Sequence, residues 1–231
     1  MIPLKDNVPI RGLPTVTLSL IVANGLVWFW ELSGTPVEAD IYDYGYYPCA
    51  VGGPCEGPYA PGHAPVPIML VSSMFMHASW LHLIGNMLFL WIFGNNVEDA
   101  MGKVRFLVFY LLSGIAATAL QTVVTLYAGT NTDAAVPNLG ASGAVSGVLG
   151  GYLVLLPTAS VLTLVLYFLV EVPAFLFLGV WFGFQLWEGG FSLLEPQAGG
   201  GVAFFAHIGG FVFGAATVRI FTTRPPLQPA Y

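Results

Sequence analysis

Charge is what this chain has least of. Only 8% of its 231 residues are Asp, Glu, Lys or Arg, whereas 56% are hydrophobic and mean hydropathy is +0.78. A soluble domain carries about 25% charged residues, so a surface that faces water all round is excluded. The chain reads as an integral membrane protein built as one compact helical domain. Cysteine is almost absent. Cys49 and Cys55 stand alone, and two thiols without other nearby ligands make a poor zinc site. A glutamate is missing where a metalloprotease helix would need one: His77, His82 and Asn86 do not form His-Glu-x-x-His. No metal and no cofactor is expected, and no nucleic-acid partner.

What is present is apolar sequence in long runs. A membrane helix needs about 20 residues. Six stretches qualify: Pro14 to Trp30, Trp80 to Val97, Val104 to Ala128, Leu139 to Leu156, one within 160–187, and Gly201 to Phe221. The first lacks a small-residue cleavage site before Glu31 and is expected to stay as a signal-anchor helix. The stretch 157–187 is too long for one ordinary span. Its apolar, β-branched part, Val161 to Val170, is expected to be interfacial or partly re-entrant before a helix that starts near Pro173.

The six cations, Lys5, Arg11, Lys103, Arg105, Arg219 and Arg224, all fall on one side of a six-span arrangement. The positive-inside rule then places both termini in the cytoplasm of a multi-pass plasma-membrane protein. The expected organisation is a single domain over 1–231. It has a short cytoplasmic N-terminus (1–13), an extracytoplasmic loop (34–70) and a cytoplasmic tail (222–231). That loop is acidic and rich in Gly, Pro and Tyr, and it holds both cysteines. An oxidising outer compartment would allow them to pair, so a Cys49–Cys55 disulfide is expected, with free thiols as the alternative.

Spans two, four and six run in the same direction. His82 and Asn86 lie in the first turns of the second, Ser142 at the start of the fourth, and His207 about six residues into the sixth, or about 9 Å down. These polar residues therefore share a shallow depth below the outer surface, where a pocket opening to the extracytoplasmic side could unite them. A serine hydroxyl is a weak nucleophile until a base takes its proton, and histidine suits that task near neutral pH. A helix that begins near Ser142 points free N–H groups outward, where a developing oxyanion could be held. His82 and Asn86 are spaced i, i+4 and leave one helix face, so their N–H donors could complete that oxyanion site. Gly140 and Gly143 flank the serine. Gly209, Gly210 and Gly214 would let the His207 helix approach span four closely.

Each feature has a plainer reading. Gly-x-Ser-Gly is weak by itself, because small residues are common where membrane helices pack. His207 could be a hydrogen-bonded core histidine, and Asn86 a packing amide. His77 could cap a helix or lie at the interface, and Glu98 and Asp99 would brace the 2–3 loop. The shared depth of the set favours chemistry.

The stretch His77-Ala78-Ser79-Trp80-Leu81-His82-Leu83-Ile84-Gly85-Asn86, then Gly94 through Asp99, then Gly140-Ala141-Ser142-Gly143 and Ala206-His207-Ile208-Gly209-Gly210 together resemble a rhomboid intramembrane serine protease. The resemblance implies a six-helix bundle and a Ser142–His207 dyad without a third carboxylate. It also implies an oxyanion site formed by His82, Asn86 and the Ser142 amide. Substrates would be transmembrane segments of other proteins in the lipid bilayer, entering past the fifth helix and the 188–200 loop. Two departures stand out. The first loop reads Pro67-Ile68-Met69-Leu70 where many members carry Trp-Arg. Ser146 also stands where some members stack a tyrosine on the histidine, so something else must position that ring. The rival readings are a polar-lined transporter, disfavoured by the lack of a clear inverted repeat, and a non-catalytic rhomboid-like binder or chaperone of membrane proteins.

Overall fold

The computed structural model describes residues 1–33, 37–52, 55, 64–194 and 203–229. In chain order the elements are β1 (Ile2–Asp6), α1 (Thr15–Ser33), α2 (Val37–Tyr44), α3 (Val66–Ser72), α4 (Trp80–Phe89), α5 (Asn95–Met101), α6 (Lys103–Ala128), α7 (Asn131–Ala134), α8 (Ser142–Leu155), β2 (Ser160–Val165), β3 (Phe168–Pro173), α9 (Ala174–Leu194) and α10 (Phe204–Phe221). A π turn over Leu90–Gly94 joins α4 to α5, so the chain stays helical from Trp80 to Met101. It breaks at Gly102, whose φ of 80° favours glycine.

Among the described residues three helices, α1, α6 and α10, are long and apolar enough to cross a membrane. The fourth expected span is shorter than the sequence suggests. Helix α8 has 14 residues, about 21 Å at 1.5 Å per residue, against a hydrocarbon thickness of about 30 Å. Gly140, at φ 111°, turns the chain before it, so Leu139 and Gly140 lie outside the helix.

An all-helical fold is also corrected. β1, β2 and β3 form an antiparallel sheet in that order. Val161 to Val170 thus forms most of β2, a tight turn and the start of β3, ahead of the helix that begins at Ala174. Its β-branched residues suit a strand, and the chain reverses at Leu166-Tyr167 between the paired residues Val165 and Phe168. Leu166 takes a φ of 54° there, a conformation side chains seldom adopt. The expected N-terminal tail supplies β1, with a register shift between Pro3 and Lys5. Asp6 accepts a hydrogen bond from Tyr152 of α8 at 2.5 Å. The fifth helix begins at Ala174 and runs on to Leu194, through the first part of the expected 188–200 loop. Residues 195–200 of that loop lie outside the described residues. The 34–70 loop contains α2, a 3₁₀ turn at Pro48–Ala50 and the start of α3.

The end of the molecule away from Ser142 is tied by charge. Arg11 and Arg224, from opposite chain termini, both pair with Asp99. Glu98 accepts from the Val16 and Thr17 amides at 3.0 and 2.7 Å and from the Thr17 hydroxyl at 2.8 Å. A carboxylate at a helix N-terminus meets both the free N–H groups and the positive end of the dipole. Helices α1, α5 and α10 are thereby fixed at one level.

Helices α8 and α10 cross at backbone contact. A Cβ added at Gly210 would lie 2.0 Å from the Gly143 carbonyl oxygen, and one at Gly214 would lie 1.9 Å from that of Gly147. On the other side of α8, a Cβ at Gly143 would lie 2.6 Å from the Ala117 methyl of α6. Gly209 packs against Leu120 and the Ala116 carbonyl of α6. Close approach is the use of these glycines, and larger residues would separate the helices.

Candidate active site

Ser142 is the first residue of α8, and His207 lies in the first turn of α10. The glycine crossing below them fixes the distance between their backbones. The Ser142 hydroxyl donates to His207 Nε2 at 2.8 Å, a normal length for such a bond. These two side chains line a cavity of about 770 Å³ together with Ser79, His82, Asn86 and Gln185.

The other nitrogen of His207 is also engaged. Nδ1 lies 2.8 Å from Gln185 Oε1, on α9. Trp181, one helical turn earlier, sets its ring 6.0 Å from the imidazole and tilted by 39°. These two residues answer the question raised by Ser146, whose own hydroxyl donates back to the Ser142 carbonyl at 2.6 Å. Gln185 is buried. It escaped the sequence reading because α9 shows no local pattern around it, although a lone glutamine in Trp181-Phe182-Gly183-Phe184-Gln185-Leu186-Trp187 is itself a signal. A buried amide in apolar sequence needs a hydrogen-bond partner.

On the opposite wall Ser79 caps α4 by accepting from the His82 amide at 3.2 Å. His77 does not cap the helix. It is fully buried, and its Nε2 accepts from Asn86 Nδ2 at 3.1 Å. Its Nδ1 donates to the Phe75 carbonyl at 3.2 Å, which leaves Nε2 with the lone pair that Asn86 needs. Burial, reinforced by neighbouring His82 and opposed by the Phe75 hydrogen bond, pushes the His77 pKa down to about 4. His77 thus holds the Asn86 amide as a neutral acceptor, a role that sequence spacing did not reveal. The His82 ring stands against Gly140, where an added Cβ would meet Cε1 and Nε2 at 2.6 Å. His82, Asn86 and Ser142 therefore face one cavity. Cys49 and Cys55 are disulfide-bonded in the first loop. His63, expected from the sequence to be only a loop residue, falls outside the described residues. Among the described residues no group of three His, Cys, Asp or Glu side chains could hold a metal ion.

A model of the rhomboid domain matches residues 66–224, which include every residue of this cavity. The chain belongs to the rhomboid family. It is 33% identical over 152 residues to Rhomboid protein 1, mitochondrial, of Saccharomyces cerevisiae, covering 64% of this chain and 40% of that protein. It is 32% identical over 165 residues to RHOMBOID-like protein 4 of Arabidopsis thaliana, covering 68% and 34%. It is 34% identical over 90 residues to Presenilin-associated rhomboid-like protein A, mitochondrial, of Danio rerio, covering 39% and 22%. These rhomboid matches span 40% or less of each relative's length. They overturn the plasma-membrane location expected from the sequence, because the yeast and fish relatives are mitochondrial proteins. The physical reason is that lysine and arginine report the two sides of a membrane, not which membrane it is.

Proposed function

We propose that this rhomboid protein is an intramembrane serine endopeptidase that cleaves peptide bonds in or near transmembrane segments of other membrane proteins. The observation that carries the reading is the 2.8 Å hydrogen bond from the Ser142 hydroxyl to His207 Nε2 inside the cavity. A neutral imidazole so placed takes the hydroxyl proton as Ser142 attacks a substrate carbonyl. The tetrahedral oxyanion is received by the Ser142 amide, the Asn86 side chain and His82. His207 then passes the proton to the leaving amine, and water, activated by the same base, hydrolyses the acyl-enzyme.

Six helices make up the membrane domain in this reading: the 80–101 rod, α8 and α9 join α1, α6 and α10. The short α8 starts below the surface, so Ser142 sits inside the layer at the floor of a wet cavity. The mitochondrial relatives point to a mitochondrial membrane as the setting. The test is a fluorophosphonate probe with purified protein, followed by peptide mapping and a panel of single-span substrates. Labelling of Ser142, with cleavage abolished in Ser142→Ala and His207→Ala, supports the proposal. Cleavage retained in Ser142→Ala refutes the dyad. An unlabelled, inactive but folded wild type favours the non-catalytic binder.

A further inference from the structure

We infer that Gln185 is a positioning residue that holds His207 in its base-competent form, an uncharged third member behind the dyad. The inference rests on the protease reading above. A neutral imidazole carries one proton, on either ring nitrogen. Only the form with hydrogen on Nδ1 leaves a lone pair on Nε2 to accept from Ser142. Gln185 Oε1 lies 2.8 Å from Nδ1. A carbonyl oxygen accepts and cannot donate, so this contact exists only when Nδ1 bears the proton. The same contact fixes ring rotation, because the two bonds, to Gln185 and to Ser142, leave opposite edges of the ring.

The residue type fits the surroundings. Gln185 is 6% exposed on an apolar helix. A carboxylate there would have to give up its hydration, whereas an amide supplies an acceptor without a charge. Trp181 alone cannot choose the tautomer, since a ring face contacts both forms alike. Other titratable side chains lining the cavity are His82 of α4 and Asp133 of α7, and neither contacts Nδ1. During the reaction the Ser142 proton moves to Nε2 and from there to the leaving nitrogen. The Nδ1 proton stays on the ring throughout, and Gln185 neither gains nor loses one.

The test uses the full-length protein in detergent with a cleavable single-span substrate. Gln185→Leu removes the acceptor at similar volume. Its kcat should fall about tenfold, the factor that one neutral hydrogen bond is worth in tautomer and rotamer population, with KM within twofold of wild type. Gln185→Glu restores an acceptor and adds charge beside the imidazole. It should recover kcat at high pH and move the acidic limb of the rate profile up by about one pH unit or more. A purely structural role would lower melting temperature without moving that limb. ¹⁵N-histidine spectra, with His207 assigned by loss of its signals in His207→Asn, read the tautomer without any turnover. The wild type should show Nδ1–H and Gln185→Leu a mixture. An unchanged tautomer and an unchanged pH profile in both Gln185 variants would overturn the inference. Activity that survives Ser142→Ala would instead remove the protease reading, and the spectra would still report whether Gln185 sets the tautomer.

Discussion

Replacing Gly210 with alanine tests how the fold sets the distance between Ser142 and His207. The added methyl would sit 2.0 Å from the Gly143 carbonyl oxygen. Carbon and a carbonyl oxygen approach to about 3.3 Å at closest, so the two backbones must part by about 1.3 Å. Gly143 follows Ser142 directly, and Gly210 lies one turn below His207, so the separation reaches the reacting pair almost undiminished. Their 2.8 Å hydrogen bond would open to about 4 Å, beyond hydrogen-bond range. A misplacement near 1 Å costs about 10²-fold in rate, and overpacking a close crossing costs about 1–3 kcal/mol of stability. The assay is turnover per titrated active site together with melting temperature. Gly25→Ala is the control, because an added methyl there meets nothing within 4 Å. In that helix the change should stabilise by up to about 1 kcal/mol and leave turnover intact. If Gly210→Ala keeps wild-type turnover and melting temperature, the crossing does not set the distance and the reasoning fails.

Asn86→Ala should reduce kcat by up to about 10²-fold with little change in KM, since the oxyanion forms only on the way to the transition state; full turnover with a lower melting temperature would assign Asn86 to packing alone. His77 is held neutral, with a pKa lowered to about 4 from 6.5. Its contribution to stability is complete above pH 6.5 and is lost as pH falls toward 4. His77→Gln, which keeps an acceptor for Asn86, should flatten that part of the stability profile; an unchanged slope would contradict the burial argument. Replacing Cys49 and Cys55 with serine should lower stability by about 2 kcal/mol through the loss of a short closed loop and leave kcat unchanged. A loss of turnover would mean that the loop shapes the cavity.

Solvent, a mainly helical class and the residues that meet in the candidate site were legible in the chain itself. Scarce charge excludes a water-facing surface. The order of Ser142 and His207 on glycine-rich apolar helices carries a chemical meaning without any coordinates. Glycines 143, 210 and 214 could be read as close-packing residues because only the loss of a side chain lets backbones meet. What the chain could not reveal alone depends on partners distant in sequence. Val161 to Val170 is apolar in any environment. Its first half became a strand because residues 2–6 and 168–173 supply the hydrogen bonds of 160–165, and such pairing leaves no mark in a local apolar run. A helix starting near Ser142 was legible and is found, but the apolar run reached back to Leu139 because hydropathy does not register the turn at Gly140. His77 and Gln185 gain their roles only when the fold sets them beside Asn86 of α4 and beside the far nitrogen of His207. A sequence can name a nucleophile and a base by residue type, but which hydrogen each ring carries is decided by the acceptors that the tertiary structure places beside it.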